Sequence, residues 1–210
     1  GAPRRIAGGQ ILLDGAGDLA AMTERELAQV RGRDAAFIFQ DPLTALNPTM
    51  KIGRQIAEVI LRHRKASRAE AREAALQLLR DVHVTSPERR LDAYPHELSG
   101  GLRQRVVIAM ALALRPRLII ADEPTTALDV TVQDQILRLL KERRDSLGTS
   151  IILITHDLGV VSQICDRMAV MYAGRLVETG RVREVLDAPS HPYTRALLAA
   201  LPGQVGRDRA

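Results

Sequence analysis

Three short apolar runs limit the folds that are open to this chain. Residues 35–39 read Ala-Ala-Phe-Ile-Phe, residues 118–121 read Leu-Ile-Ile-Ala, and residues 151–154 read Ile-Ile-Leu-Ile. Each has the length of one strand, and we expect residues 35–39 to be buried on both faces and residues 151–154 to be buried as well. Residues 130–146 have the period of an amphipathic helix, and a strand, a helix and a strand in that order form a parallel pair. The sequence therefore predicts an α/β fold with a parallel sheet.

The stretch between the first two runs carries only helix signals. We predict helices over residues 52–64 and 71–82, the second opened by a capping box of Ser67 and Glu70, and a third that opens at Ser99 and runs over residues 102–114. Residues from about 43 to 114 thus form a helical subdomain inserted in the α/β frame. The remaining predicted elements are a strand at 10–13, a helix capped by Thr23 and Glu26, a helix at 158–164, and a hairpin of residues 168–172 and 175–178.

The composition excludes several classes of protein. With 46% hydrophobic, 26% charged and 2% aromatic residues, the chain is expected to be a soluble globular protein with an aliphatic core. The net charge of +5 comes mostly from Arg residues spread along the chain, which argues against a nucleic-acid partner. Cys165 is the single cysteine, and no apolar run reaches the roughly 20 residues that span a bilayer. We therefore expect a cytoplasmic protein.

Two adjacent carboxylates, Asp122 and Glu123, follow the apolar run at 118–121. Open α/β sheets bind ligands at the carboxyl ends of their strands. Mg²⁺ takes one or two protein carboxylates and leaves its other positions to water and phosphate, which makes Asp122 the candidate metal ligand. Glu123 is then available as a general base for an attacking water. The alternative is an acidic pair next to Pro124 that caps the following helix.

Ser99, Gly100 and Gly101 precede a predicted helix. Backbone N–H groups at a helix N-terminus attract anions, and glycine lets a phosphate approach closely. The alternative is an ordinary helix cap in which Ser99 serves only the backbone.

Two further polar residues end predicted strands. His156 follows the run at 151–154, at the same sheet edge as Asp122 and Glu123, where it can sense a terminal phosphate, although a histidine there is more often an ordinary polar residue. Gln40 ends the first run and can hydrogen-bond a metal-bound water.

These signals, together with Thr126-Ala127-Leu128-Asp129, occur in the order found in nucleotide-binding subunits of ABC transporters, which the chain resembles from about residue 10 to residue 202. The resemblance implies a P-loop NTPase-like (RecA-like) parallel sheet with an inserted helical subdomain. The implied roles are the Q-loop glutamine for Gln40, the signature motif for residues 98–102, the Walker B strand for residues 118–122, the catalytic glutamate for Glu123, the D-loop aspartate for Asp129 and the switch histidine for His156.

Residues 39–48 and residues 191–198 resemble a narrower group, the importers of dipeptides, oligopeptides or nickel. Residues from about 191 to 210 are thus interpreted as the start of the C-terminal region of that group. The alternative for residues 191–198 is an ordinary amphipathic helix with Pro192 in its first turn.

The sequence departs from the family pattern in two places. Leu102 stands where the signature usually has Gln, which we interpret as a minor variant. The Gly-rich P-loop that ends in Lys-Ser or Lys-Thr is absent from the 210 residues. We therefore interpret residues 1–210 as an N-terminally truncated nucleotide-binding domain, and we expect it to bind ATP weakly or not at all by itself.

The resemblance also implies a mechanism for the parent protein. Two identical or homologous ATPase subunits pair head to tail at the cytoplasmic face of the inner membrane. Each ATP lies between the P-loop of one subunit and Ser99, Gly100 and Gly101 of the other. The other implied roles are Mg²⁺ binding by Asp122 and Gln40, polarisation of the attacking water by Glu123, contact with the γ-phosphate region by His156 and Gln40, and a link between the two sites by Asp129.

The implied partners are the transmembrane permease, which the helical subdomain contacts, and, indirectly, an external solute-binding protein. Two alternatives stay open. One is an ABC-type ATPase of nucleic-acid repair or chromosome maintenance, which the short insertion without cysteines or sustained heptads disfavours. The other is a non-catalytic remnant of the family.

Overall fold

A three-stranded parallel sheet organises the first of two compact units, residues 1–154 and 155–210, into which the chain divides. The computed structural model describes residues 6, 8–126 and 128–200. The strands are β3 (Ala35–Ile38), β4 (Leu118–Asp122) and β5 (Ser150–Ile154), paired in that order with Phe37 opposite Ile120 and Ile120 opposite Ile152. Helix α7 (Val130–Leu147) connects β4 to β5. The predicted parallel sheet is confirmed.

Only one face of this sheet is buried. Ala36, Ile38, Ile119 and Ala121 lie in the main hydrophobic core together with residues of the surrounding helices. On the other face Phe37 is 40% exposed and Ile152 is 52% exposed. The expectation that residues 35–39 and 151–154 are buried throughout was therefore wrong. Successive side chains of a strand point to opposite faces, and here both sets are apolar, so the sequence carries no alternation that marks the exposed face.

Between β3 and β4 the chain forms helices and no strand, as predicted. They are α2 (Pro42–Ala45), α3 (Ile52–His63), α4 (Arg68–Asp81), α5 (Pro87–Leu91) and α6 (Gly100–Leu112). The capping box of Ser67 and Glu70 is present at the start of α4. Ile52, Ile56, Leu79 and Ile108 are fully buried, so these helices supply much of the aliphatic core.

The N-terminal part of the first unit adds two short strands, a 3₁₀ helix (Leu19–Ala21) and an α-helix. Strands β1 (Leu12–Leu13) and β2 (Gly17–Asp18) form an antiparallel pair, and α1 (Glu24–Val30) begins with the predicted capping box of Thr23 and Glu26. None of the described helices is both long and apolar enough to cross a membrane.

A buried arginine joins the helices of the first unit. Arg105 of α6 donates to the carbonyl oxygen of Val82 at 2.8 Å and to Oε1 of Gln135 in α7 at 2.9 Å. Burial lowers the pKa of its guanidinium. Since a buried charge is costly without partners, these hydrogen bonds fix the position of α6 against α7.

The second unit contains the predicted helix and hairpin. Its elements are α8 (Leu158–Ile164), β6 (Arg167–Tyr172), β7 (Arg175–Arg181), α9 (Val182–Asp187) and α10 (Pro192–Ala199). Strands β6 and β7 pair antiparallel with a bulge between Val170 and Met171. The second strand runs to Arg181, three residues beyond the predicted end.

Glu178 of β7 holds the start of α10. Its carboxylate accepts hydrogen bonds from the backbone N–H of Ser190 at 2.7 Å and of His191 at 3.1 Å. The pKa of Glu178 is lowered first by the neighbouring Thr194 hydroxyl and then by these two backbone amides. The contact with the hydroxyl does not have the geometry of an ordinary hydrogen bond. The carboxylate thus anchors the loop that leads into the last helix.

We expect Glu178 to make the stability of the second unit depend on acid pH. Because its folded pKa is lowered, the contribution is complete above the ordinary glutamate pKa of about 4.3 and is lost as the pH falls through the lowered value. Glu178→Gln should therefore lower the unfolding midpoint at neutral pH and leave it little changed in acid, measured by thermal unfolding. Glu142→Gln, on the exposed face of α7, is the control. Equal loss at both pH values would assign Glu178 a role that does not depend on its charge.

Candidate functional site

The carboxyl end of the sheet brings together two residues that are 83 positions apart in sequence. Nε2 of Gln40, just after β3, donates to Oε2 of Glu123, just after β4, at 2.9 Å. Parallel strands end at the same sheet edge, and the β3–β4 register places these two exits side by side. Two of the candidate site residues are therefore in direct contact.

Glu123 has an unusual backbone conformation. Its φ of +43° lies in the left-handed region, which costs a residue other than glycine roughly 1–3 kcal/mol. Its N–H donates to the carbonyl oxygen of Ile154 at 2.8 Å, which ties the turn to the end of β5. Such a conformation persists only where surrounding contacts hold it, so the fold fixes the direction in which this carboxylate leaves the sheet.

Thr126 is a contact of the site that the sequence analysis missed. Its hydroxyl donates to Oε2 of Glu123 at 2.8 Å, while its N–H donates to the carbonyl oxygen of Glu123 at 3.1 Å. A threonine three residues after a glutamate at the start of a turn was the available signal. The carboxylate is thus held between a glutamine amide and a threonine hydroxyl.

The oxygen atoms beside Glu123 suit a hard cation. Asp122 ends β4 and is half-buried. Because Gln40 uses its Nε2 to contact Glu123, its Oε1 is the oxygen that can face a metal. Among the described residues, no group of three or more His, Cys, Asp or Glu side chains is arranged for a metal ion. A Mg²⁺ held by Asp122 and Gln40 would therefore take most of its ligands from phosphate and water.

Helix α6 begins at Gly100, so Gly100 and Gly101 lie in its first turn. The predicted helix over 102–114 had placed them ahead of the helix, which was wrong. Ser99 is the N-cap, and its Oγ accepts from the N–H of Leu102 at 3.4 Å. The first N–H groups of a helix lack partners within the helix. Of these, the N–H of Leu102 donates to Ser99. The N–H groups of Gly100 and Gly101 lie at the N-terminus of α6, where they can donate hydrogen bonds to an anion.

Gly101 is also required for helix packing. A Cβ at this position would lie 2.7 Å from Cγ1 of Val132 in α7, whereas a Cβ at Gly100 would meet only Cδ2 of Leu128 at 3.7 Å. The predicted role of both glycines was to let a phosphate approach, and this packing contact was not predicted. The close approach of two helices distant in sequence leaves no local signal.

Asp129 caps α7. Its side chain accepts from the N–H of Val132 at 2.9 Å, and it is exposed. The same valine therefore contacts Gly101 through its side chain and Asp129 through its backbone. The start of α7 is fixed against the start of α6 at this point, and the role of Asp129 between two nucleotide sites stays a prediction.

His156 belongs to the second unit, two residues beyond the end of β5. The following residue, Asp157, caps α8 by accepting from the N–H groups of Gly159 at 2.8 Å and Val160 at 3.3 Å. The predicted contact of His156 with a γ-phosphate stays a prediction.

The stretch from 191 to 198 forms most of α10. Nδ1 of His191 accepts from the N–H of Tyr193 at 3.1 Å and caps the helix, with Pro192 at its first position. The rings of Tyr193 and Tyr172 lie 4.3 Å apart between centroids. A helix with Pro192 in its first turn is thus present, which is compatible with both interpretations of this stretch.

Two family models match this chain. The ABC transporter model matches residues 4–126, and the model of the oligopeptide/dipeptide transporter C-terminal region matches residues 177–209. The first match includes Gln40, the signature and Glu123. The second includes α10.

Several curated proteins are similar over most of the chain. The oligopeptide transport ATP-binding protein OppD of Bacillus subtilis (strain 168) is 57% identical over 194 residues, which is 92% of this chain and 54% of that protein. The dipeptide transport ATP-binding protein DppD of the same strain is 51% identical over 198 residues, 94% of this chain and 59% of that protein. The chain thus spans little more than half the length of these relatives.

A solved structure shares the fold. It is the dimeric structure of a post-hydrolysis state of the ATP-binding cassette MJ0796 bound to ADP and Pi, with a TM-score of 0.75 and 30% sequence identity. The match covers 86% of this chain and 76% of that one.

Proposed function

Because the chain belongs to the ABC transporter family, we propose that the whole protein is the ATP-hydrolysing subunit of an importer for peptides. The observation that carries the proposal is the hydrogen bond between Gln40 and Glu123 at the carboxyl edge of the sheet. It joins the amide that can face a metal and the carboxylate that can take a proton from water. The names of the relatives favour peptides over nickel as the imported solute.

In this proposal Glu123 is the general base. It polarises a water that attacks the γ-phosphate of ATP, and the bonds from Gln40 and Thr126 hold its carboxylate at a fixed angle. Mg²⁺, bound by Asp122 and Gln40, would neutralise charge on the phosphates. His156 contacts the γ-phosphate region.

The N-terminus of α6, at Ser99, contributes to the nucleotide site of a partner subunit. We place the ATP of a partner subunit, identical or homologous, against Ser99, Gly100 and Gly101 in a head-to-tail dimer, with Asp129 linking the two sites. The structural relative, which is a dimer bound to ADP and Pi, supports the dimeric state in this proposal. A P-loop lysine is also needed for the β- and γ-phosphates, and none of the 210 residues forms such a loop.

We further propose that the protein lies at the cytoplasmic face of the inner membrane and contacts a transmembrane permease through its helical subdomain, at about residues 43–114. An external solute-binding protein would deliver the solute. Residues from about 191 to 210 would begin the C-terminal region found in this group of importers.

The test is transport by the reconstituted system. The whole protein, its permease and its solute-binding protein are placed in lipid vesicles with ATP and Mg²⁺, and uptake of a labelled peptide and of Ni²⁺ is measured beside phosphate release. We expect peptide uptake that depends on ATP hydrolysis. Uptake of Ni²⁺ alone would contradict the proposed solute, and absence of phosphate release would favour a non-catalytic remnant.

A further inference from the structure

A buried glutamine in the helical region is bonded to the segment that follows Gln40. Gln55 of α3 is 5% exposed, and its amide makes three hydrogen bonds to one stretch of backbone. Oε1 accepts from the N–H of Asn47 at 2.9 Å, and Nε2 donates to the carbonyl oxygens of Asn47 at 2.9 Å and Met50 at 2.7 Å. A buried amide is costly unless it is satisfied, so this side chain and this backbone stabilise each other.

The bonded stretch is the link between the sheet edge and α3. Residues 41–51 make no strand pairing, and the backbone N–H and carbonyl of Asn47 are both bonded to Gln55, as a neighbouring strand would do. The side chain of Asn47 turns the other way and accepts from the N–H and hydroxyl of Thr49, at 3.0 and 2.8 Å. The Gln55 amide thus satisfies both backbone groups of Asn47.

From Asn47 back to Asp41 the segment is held by further contacts. Leu46 is 4% exposed and lies in the main core, and its N–H donates to the carbonyl oxygen of Pro42, which closes the single turn of α2. Asp41 caps that turn by accepting from the N–H of Leu43 at 2.9 Å. Contacts of this kind thus follow one another from Gln55 to the residue next to Gln40.

This segment also contacts the signature helix, because α2 packs against α6. Ser99 is the N-cap of that helix. One buried amide is therefore bonded to a stretch that leads to Gln40 at one end and contacts the signature helix through α2.

We propose that Gln55 is a positioning residue for ATP hydrolysis: it fixes residues 41–50 and so holds the Gln40 amide toward Glu123. This inference rests on the proposed function. Gln55 does not touch nucleotide; it acts through the segment. Its loss should therefore lower kcat more than it raises the KM for ATP, since misplacement of a catalytic group can cost up to about 100-fold in rate.

The test compares Gln55→Met with Gln29→Met in the whole protein. Both replacements remove an amide and keep a long side chain, but Gln29 is exposed on α1, outside the helical subdomain. We expect Gln55→Met to lower kcat about tenfold or more with KM for ATP changed less than threefold, and Gln29→Met to leave both unchanged. Rates are measured well below the unfolding midpoint of each variant.

Two further measurements separate positioning from folding. Gln40→Ala and Gln55→Met should be non-additive in kcat, because both remove the same oriented amide, and amide hydrogen exchange at Asn47 should become faster in Gln55→Met. If Gln55→Met does not fold, Gln55→Asn, which keeps an uncharged amide but shortens the side chain by one methylene, replaces it. An unchanged kcat, or strictly additive losses, would overturn the inference. Absence of hydrolysis by the unmodified protein would instead overturn the proposed function, while the exchange measurement would still report on the segment.

Discussion

Replacement of Glu123 by Gln in the whole protein is expected to slow ATP hydrolysis about 10²–10⁴-fold and to leave ATP binding nearly unchanged. The glutamine carbonyl can still accept from Nε2 of Gln40 and from the hydroxyl of Thr126, the two contacts that hold the native side chain. It cannot take a proton from water at neutral pH. Geometry and binding should survive, and the chemical step should fail.

Phosphate release and binding of a labelled ATP are measured in parallel. Glu142→Gln is the matched control, because it removes the same charge from an exposed glutamate of α7, which lies outside the helical subdomain and pairs with Arg143 at 3.2 Å. The control should keep full turnover. If Glu123→Gln also keeps it, another group removes the proton, and Glu123 serves only to orient Gln40.

The positions of the catalytic candidates could be predicted from sequence because they depend on local patterns. Strand ends at Gln40 and Asp122, and the helix cap at Ser99, follow from apolar runs and capping residues. The parallel arrangement then places strand ends at one edge without further information. The Gln40–Glu123 contact is the consequence of those local features.

Other features depend on tertiary contacts that leave no local trace. Phe37 is exposed because the helices cover the other face of the sheet. In a run made only of apolar residues, the sequence does not show which face will be covered. The left-handed backbone of Glu123 is held by the carbonyl of Ile154, which lies 31 positions further along the chain. Gln55, in the first turn of α3, gives no sign in the sequence that it is bonded to Asn47.

The second large effect concerns packing at the signature helix. We expect Gly101→Ala to be less stable than Gly100→Ala by about 1–3 kcal/mol, the usual cost of overpacking a filled site. Both substitutions lie in the first turn of α6 and gain a similar helix propensity, so this gain cancels in the comparison. Only the Cβ at position 101 reaches Val132, at 2.7 Å from its Cγ1. Denaturant unfolding of both variants gives the difference.

The double variant Gly101→Ala with Val132→Ala tests the assigned cause. Removing Cγ1 opens the space that the new Cβ needs, so stability should return to that of Val132→Ala alone. If it does not, the first turn of α6 is strained for another reason. Hydrolysis by the Gly100→Ala variant then separates packing from nucleotide contact. If this variant folds normally but slows hydrolysis in the dimer, the first turn of α6 faces the nucleotide. Gly101 then has an additional role, because its lack of a Cβ lets α6 approach Val132, whose N–H donates to Asp129.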